Sequence, residues 1–253
     1  MTLAEAKYQY LLRMGDNALI LGHRLSEWCG HGPVLEQDIA LTNIALDQVG
    51  QTRSLLQYAA QLEGKGRTED DLAYKRDVMA YRNVLLVEQP NENFAYTIVR
   101  QFLFDAFNYL LHKSLVQSKD EHLQAIAEKS LKEITYHLRF SSEWMIRLGD
   151  GTEESHQKMQ TALDDLFIYS GELITPDEVD QVIFEAGVGP DLNAIQPDYH
   201  AKVDEILQRA TLQKPDVKYM QSGGKDGRMH TEYLGYILAE LQFVQRAYPN
   251  MEW

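Results

Sequence analysis

The sequence contains one cysteine, Cys29, among its 253 residues. A single thiol cannot form a disulfide within the chain, so a reducing cytoplasm is the expected compartment. Basic residues are also scarce, because 24 Lys and Arg stand against 38 Asp and Glu and give a net charge of −14. This balance argues against nucleic acid and anionic membrane surfaces as general partners.

Long apolar runs are missing as well. No stretch of about eighteen consecutive apolar residues is present, so we expect no membrane-spanning helix. The start of the chain, MTLAEAKYQY, lacks the basic and then apolar pattern of a secretory signal. The sequence has no internal repeat and no low-complexity tract. It also has no Walker loop, Gly-x-Ser-x-Gly or Gly-x-Gly-x-x-Gly motif, which argues against nucleotide-binding and serine-hydrolase chemistry.

The apolar residues that are present predict helix after helix. They recur three, four or seven positions apart in five segments, which are separated by residues that stop helices. Four of these segments exceed about twenty residues, and short linkers follow the second and the fourth, which is typical of an up-and-down helix bundle. The predicted helices cover Leu3 to Trp28, Val34 to Gly64, Asp70 to Arg82, Phe94 to about Gln117 and Glu121 to Leu148.

The remaining hundred or so residues are predicted to add shorter helices to this bundle. We therefore expect one all-α domain over 1–253, with a core bundle at about 3–148 and accessory helices at about 153–248. A flexible glycine-rich connector, capped by Thr231, leads into the last helix. The other accessory segments are a helix from Ser155 to Leu173, a helix opened by the capping box Thr175-Pro176-Asp177-Glu178, a loop from Gly187 to Pro197, a helix from Asp198 to Leu212, and a final amphipathic helix with Leu234, Ile237, Leu238, Leu241 and Val244 on one side.

Each of the four long helices carries an acid near its middle, on or beside an apolar face. These residues are Asp16, Asp47, Asp105 and Glu133, the last with His137 close by. Buried carboxylates are costly unless they are paired, protonated or bound to a cation. A di-iron bundle takes a carboxylate from each of two helices and Glu-x-x-His from each of the other two, because three-residue spacing places both ligands on one face. The acids therefore raise the question of a di-iron site.

The ligand set for such a site is incomplete. Gly50 stands three residues after Asp47, where a histidine is needed, and Ile134 stands three residues before His137, where a carboxylate is needed. Glu133 precedes His137 by four residues, which places it about 40° round the helix instead of about −60°. The alternative is a set of ordinary polar residues with partners across the bundle. Candidate partners are Arg53, Arg100, Arg139, Tyr109 and Tyr136, and a degenerate site and a satisfied polar core both predict no iron.

Three further motifs have simple structural interpretations. Glu153 precedes His156 by three residues but lies at a predicted helix start, where acids complement the helix dipole, so we expect a solvated helix terminus. Cys29 follows a helix C-terminus beside His31 and is interpreted as a small packed thiol. The run GGKDG at Gly223 to Gly227 suggests a phosphate-binding nest, but the preferred interpretation is the flexible connector.

Several blocks of the sequence are similar to the C-type subunits of the ring 1,2-phenylacetyl-CoA epoxidase family. They include LSEWCGH, VEQPNENFA, KEITYHLRF and HTEYLGYILAELQ, and the similarity runs from about Leu12 to Trp253. The family belongs to the bacterial multicomponent monooxygenases. The resemblance therefore implies a ferritin-like bundle.

The resemblance also implies partners and a division of labour. C-type subunits have lost their iron ligands and form heterotetramers with a homologous A subunit, which holds the di-iron centre and binds the CoA thioester. A small B subunit and a reductase E component, with FAD, an iron-sulfur cluster and NADPH, complete a complex that epoxidises the ring of phenylacetyl-CoA with oxygen. Asp16, Asp47, Asp105 and His137 fall near the ligand positions of the A subunit. We therefore expect no catalytic, cofactor-binding or metal-binding residue in this chain.

Two alternative functions stay open. One is a self-contained di-iron oxidase that uses Asp16, Asp47, Asp105, Glu133 and His137 with relaxed geometry, and the other is a metal-free helical adaptor unrelated to oxygenation. For a structural subunit, exposed tyrosines and leucines of the first two helices and the C-terminal helix are predicted to form the partner surface. Alternatively, these residues cover the accessory helices. A homodimer of the isolated chain is compatible with these functions.

Overall fold

A computed structural model describes residues 1–249 and Met251, and within them it confirms the all-α, ferritin-like helix-bundle fold. The regular elements of these residues are helices, with no strand. The α-helices are α1 (Leu3–Ser26), α2 (Leu35–Glu63), α3 (Glu69–Tyr74), α4 (Leu85–Glu88), α5 (Phe94–Leu115), α6 (Glu121–Gly149), α7 (Glu153–Leu166), α8 (Gly171–Ile174), α9 (Glu178–Glu185), α10 (Leu192–Arg209), α11 (Glu232–Leu241) and α12 (Phe243–Ala247).

The chain divides into two compact units. The terminal unit contains Thr2–Glu88 and the described residues from Gly223 onward, and the central unit contains Met1 and Gln89–Ser222. Each unit is built on one pair of long helices. The predicted single domain over 1–253 stays a prediction. No helix in the described part of the chain is both long enough and apolar enough to cross a membrane.

In the terminal unit, α1 and α2 pack against each other as an antiparallel pair. Gly15 on α1 lies against Leu56 and Gly22 lies against Gln48, where an added Cβ would come within 3.1 Å of the Gln48 Cβ. These glycines therefore let the two helices approach closely. The start of α1 is fixed by a capping box between Thr2 and Glu5, as expected for a helix that begins at Leu3.

In the central unit, α5 and α6 form the corresponding pair, and α7 and α10 pack against them. Asn93 caps the start of α5 by accepting hydrogen bonds from the N–H groups of Ala95 and Tyr96, at 2.9 and 3.4 Å. Asp120 caps α6 through the N–H of Leu123 at 3.1 Å. The long helices therefore begin where short polar side chains can satisfy their first N–H groups.

The helix predicted from Asp70 to Arg82 is wrong in its second half. The observed helix α3 ends at Tyr74, and a 3-10 turn over Val78–Ala80 follows the extended residue Asp77. The cause is Arg76, whose buried side chain turns inward, donates to the carbonyl groups of Leu72 and Ala80, and reaches Asp16. A continuous helix would carry this guanidinium away from those acceptors.

The accessory helices also differ from their predicted boundaries. The segment predicted as one helix over Ser155 to Leu173 is α7, a 3-10 turn over Phe167–Tyr169, and α8. Asp177 rather than Thr175 caps α9, because its side chain accepts from the N–H groups of Val179 and Asp180.

The predicted loop from Gly187 to Pro197 is helical from Leu192, where Asp191 provides the N-cap. Pro197 lies inside α10, near its start. The predicted boundary came too late because an interior proline usually ends or kinks a helix, whereas α10 continues through Pro197.

The final helix is shorter than predicted. It breaks at Gln242, whose buried amide donates to the Arg76 carbonyl and the Tyr81 hydroxyl, each at 2.9 Å. Leu234, Ile237 and Leu238 are buried as expected, but Leu241 is only half-buried and Val244 is exposed. Because α12 does not continue the axis of α11 after this break, Val244 does not lie on the buried face of α11.

Thr231 precedes α11, but its side chain does not cap the helix. Its hydroxyl lies 2.6 Å from Glu88 Oε2 instead. The predicted cap is therefore wrong.

Candidate functional site

Asp105 is completely buried on α5, within a cluster of polar side chains between α5 and α6. Its Oδ1 accepts a hydrogen bond from Gln101 Nε2 and its Oδ2 accepts one from Ser141 Oγ, both at 2.8 Å. Burial raises the pKa of Asp105 to about 7, against the opposing effects of His137, Ser141 and Gln101. The structure therefore brings two predicted site residues, Asp105 and His137, into one electrostatic cluster.

The polar interior continues along α5 to His112. The Nδ1 of His112 lies 3.0 Å from the Asn108 carbonyl, and burial lowers the pKa of the ring to about 4. The imidazole is therefore neutral near neutral pH. The spacing of residues provides no signal for His112 as a site residue, because Tyr109 and not an acid stands three positions before it.

Asp16 is equally buried on α1 in the terminal unit, and both oxygens of its carboxylate accept hydrogen bonds. The Arg76 guanidinium binds both oxygens, with Nη1 at 2.9 Å from Oδ2 and Nη2 closer still to Oδ1. The backbone N–H of Arg82 donates to Oδ2 at 2.8 Å. A bidentate arginine and a backbone donor neutralise and satisfy a buried carboxylate. Asp16 therefore has the arginine partner that the alternative interpretation requires.

Arg76 was not among the candidate partners, because it lies outside the four long helices. Its guanidinium also lies over the ring of Tyr81, 4.3 Å from the centroid. The sequence around Arg76 shows only an arginine in a short segment rich in acids and tyrosines. Such a segment does not indicate that Arg76 pairs with Asp16, sixty residues earlier in the chain.

On α2, the inward-facing polar pair is Gln48 and Gln51, not Asp47 and the position of Gly50. Gln48 and Gln51 are both buried and stand three residues apart. Asp47 is half-buried, and Gly50 is exposed with open space where a Cβ would lie. A histidine at position 50 would therefore not point into the unit. The buried polar positions of α2 therefore lie one residue after Asp47 and Gly50, the positions considered in the sequence analysis.

On α6, Ile134 and His137 are both fully buried, whereas Glu133 is half-buried. The inward position three residues before the imidazole is therefore aliphatic. In the described part of the chain, no three or more His, Cys, Asp and Glu side chains come together in a group that could hold a metal ion. Within the terminal unit, Asp16 is paired with Arg76 and the buried α2 positions are amides, and within the central unit the α6 position is an isoleucine, so the residues of neither unit fit a di-iron half-site.

The remaining motifs have structural roles. Glu153 opens α7 at an exposed position, and His156 Nδ1 lies 2.7 Å from the Gly149 carbonyl at the end of α6. The expected packed thiol is wrong, because Cys29 is exposed in the loop after α1. The GGKDG connector is a hydrogen-bonded turn and not a free linker, since the Gly223 carbonyl accepts from the N–H groups of Arg228 and Met229.

These features describe a ferritin-like, all-α fold in which each unit buries several polar side chains that, among the described residues, form no metal-ligand group. The chain belongs to the family described as phenylacetic acid catabolic protein, whose profile matches residues 2–253. The chain is 48% identical to the C-type component of 1,2-phenylacetyl-CoA epoxidase from Escherichia coli (strain K12) over 244 residues, which cover 96% of this chain and 98% of that protein. The resemblance and the role in phenylacetate catabolism are confirmed.

Proposed function

We propose that this chain is a non-catalytic structural subunit of a ring 1,2-phenylacetyl-CoA epoxidase and supports a homologous di-iron A subunit. The observation that carries the proposal is the buried ion pair between Asp16 and Arg76, at 2.9 Å between Nη1 and Oδ2. The carboxylate at this position is satisfied by a protein cation and is not available to a metal. The identity to a C-type component of the epoxidase supports the same assignment.

The residues at the other inward positions support the proposal. Carboxamide groups such as those of Gln48 and Gln51 carry no charge to balance ferric or ferrous iron, and Ile134 has no donor atom. Asp105 retains a carboxyl group, but its raised pKa of about 7 shows that this environment disfavours the ionised form. A single carboxylate of this kind does not replace the several that a di-iron centre needs.

An exposed apolar stripe on α2 supports a partner-binding role. Leu35, Ile39, Leu46 and Val49 are exposed, with Leu35 at 71% and Leu46 at 64% of their full areas. Their spacings of four, seven and three residues follow a 3.5-residue repeat, which is the pattern of a helix that packs along another helix. Exposed apolar side chains grouped along one face of a helix are typical of a surface that packs against a partner. We refer to these four residues as the α2 stripe.

We propose that the partner surface lies on α2 and the C-terminal helices, whereas the sequence analysis also included the first helix. On α1 the exposed large apolar residue is Leu3, so the body of that helix does not contribute such a surface. The C-terminal helices expose Tyr236 and Phe243, followed by Tyr248. We infer that the α2 stripe, with this C-terminal surface, binds the A subunit in a heterotetramer.

In the proposed complex, the chemistry lies in other chains. The A subunit supplies the di-iron centre and binds phenylacetyl-CoA, and the reductase E passes electrons from NADPH through FAD and an iron-sulfur cluster. The small B subunit completes the assembly. This chain contributes no cofactor, and its role is to hold the A subunit in its active form.

Reconstitution tests this proposal. Epoxidation of phenylacetyl-CoA is measured with the A, B and E components, with and without this chain, and iron is determined in each purified chain. We expect activity only when this chain is present, with iron in the A subunit and in the reductase E but none in this chain. Full activity without this chain, or epoxidation by this chain with B and E alone, would contradict the proposal. Failure to bind the A subunit would favour the unrelated adaptor.

A further inference from the structure

A cavity of about 320 Å³ opens between α2 and α3 in the terminal unit. Its apolar floor is formed by Leu19, Leu56 and Ala73, each of which is at most 5% exposed. Val49, the last residue of the α2 stripe, also lines the cavity and is 46% exposed. The cavity is therefore continuous with the surface that we propose binds the A subunit.

The edge of the cavity carries charged side chains from both helices. Arg53 Nε on α2 lies 3.4 Å from Glu69 Oε1 on α3, and Gln57 Nε2 donates to the same oxygen at 2.7 Å. The Glu69 carboxylate is thus paired within the unit. Asp70, the next residue, is exposed, and no cation or hydrogen-bond donor contacts its carboxylate among the residues that the structure describes.

Tyr74 lies beside Asp70 on the same face of α3, because four residues separate them in the helix. Burial of the phenol and, secondarily, the charge of Asp70 raise the pKa of Tyr74. The electrostatic influence on Tyr74 shows that the Asp70 carboxylate is close to the wall of the cavity. An aromatic ring next to a carboxylate is an environment that favours a cation.

We propose that the A subunit places a lysine or arginine side chain in this cavity, with its alkyl stem over the apolar floor and its charged end against Asp70. Such a side chain is apolar along its stem and charged at its end. Its two parts therefore match the floor and the edge of the cavity. The inference rests on the proposed function, because it requires the A subunit to pack along the α2 stripe beside Val49.

The charges that line the cavity favour a cationic side chain over an anionic or apolar one. Two carboxylates and one guanidinium line it, and the guanidinium of Arg53 lies against Glu69. The remaining charge is the negative charge of Asp70. An apolar side chain would cover the floor but would take this carboxylate partly out of water without a partner, which costs free energy. A lysine or arginine covers the same floor and supplies the partner.

Binding of the purified A subunit to Asp70→Asn tests the inference. Affinity should fall roughly tenfold at low salt, because a charge-assisted contact in the interface is lost. Affinity should also depend less on salt concentration than it does for the wild-type chain. Glu143→Gln, an exposed position on α6, removes the same charge outside the cavity and should bind like the wild-type chain. Since Asp70 is exposed, the variant should fold normally.

The outcomes separate this inference from the proposed function. Equal affinities for Asp70→Asn and Glu143→Gln, with the wild-type chain binding the A subunit, would overturn the cationic side chain alone. Absence of binding by the wild-type chain would overturn both proposals. Sedimentation of the isolated chain identifies a different occupant. A homodimer that Asp70→Asn dissociates would show that a second copy of this chain fills the cavity, and that result would overturn the assignment to the A subunit.

Discussion

At the scale of single residues, two fully buried acids are accommodated in different ways. Asp16 is ionically paired with Arg76, whereas Asp105 has neutral hydrogen-bond donors and a pKa raised to about 7. An ion pair whose partners are both buried is hard to break, because the remaining charge has no solvent to stabilise it. A carboxyl with neutral donors can instead take up a proton. The two acids therefore predict different responses to mutation and to pH.

Asp16→Ala should destabilise the chain by about 3–5 kcal/mol, because it leaves the buried Arg76 guanidinium without its counter-charge. Replacing Arg76 by Met in the same chain should recover much of this loss. Urea denaturation measures both effects, with Asp70→Ala, an exposed acid on α3, as the control. A loss below about 1 kcal/mol for Asp16→Ala would show that the ion pair is not formed as described.

Asp105→Asn should change how stability depends on pH. The folded-state pKa of Asp105 is about 7, above the value of about 3.9 for an unfolded aspartate, so its protonated form is favoured by folding. This contribution is complete below about pH 4 and is lost as the pH rises through about 7. Relative to the asparagine variant, the wild-type free energy of unfolding should therefore fall by on the order of 3 kcal/mol between pH 4 and 8. If the free energies of unfolding of the two proteins changed in parallel with pH, the result would contradict the burial of the Asp105 carboxyl group.

At the scale of secondary-structure elements, the long helices could be predicted because periodicity and capping residues both act locally. Phe94 begins α5 as predicted, and α6 ends one residue beyond the predicted Leu148. The α2 register could not be predicted from one sequence, because Asp47 and Gln48 are adjacent polar residues and only packing shows which one is buried. The end of α3 depends on Arg76 and Asp16, which are far apart in the chain. Contacts of that kind leave no local pattern.

The α2 stripe provides a test at this scale. Leu46→Glu should reduce binding of the A subunit at least tenfold, because it places a charge in the centre of an apolar helix contact. Since Leu46 is exposed, the isolated chain should unfold at nearly the wild-type urea concentration. Leu62→Glu is the matched control, because Leu62 is also exposed on α2 but lies off the stripe. Affinity is measured by titration calorimetry with the purified A subunit, and equal losses for both variants would contradict the assignment.

At the scale of the whole molecule, family membership and the described interior lead to the same proposal. The chain matches its family over residues 2–253, and 48% identity to a C-type component of the epoxidase spans nearly all of both proteins. The fold class could be predicted from periodicity, whereas the substrate, the partners and the division of labour came from sequence resemblance. Physical reasoning from residues could indicate only that the ligand set was incomplete. In the proposed function the chemistry lies in other chains, so few residues of this chain indicate that function directly.

The iron content of this chain, purified alone after expression in iron-rich medium, tests the structural role most directly. We predict essentially no bound iron and no absorption band that responds to oxygen, because Asp16 is paired with Arg76, the buried α2 positions carry amides, and α6 has an isoleucine three residues before His137, where a carboxylate is needed. About two irons per chain, the content of a di-iron bundle, together with an oxygen-responsive band, would contradict it.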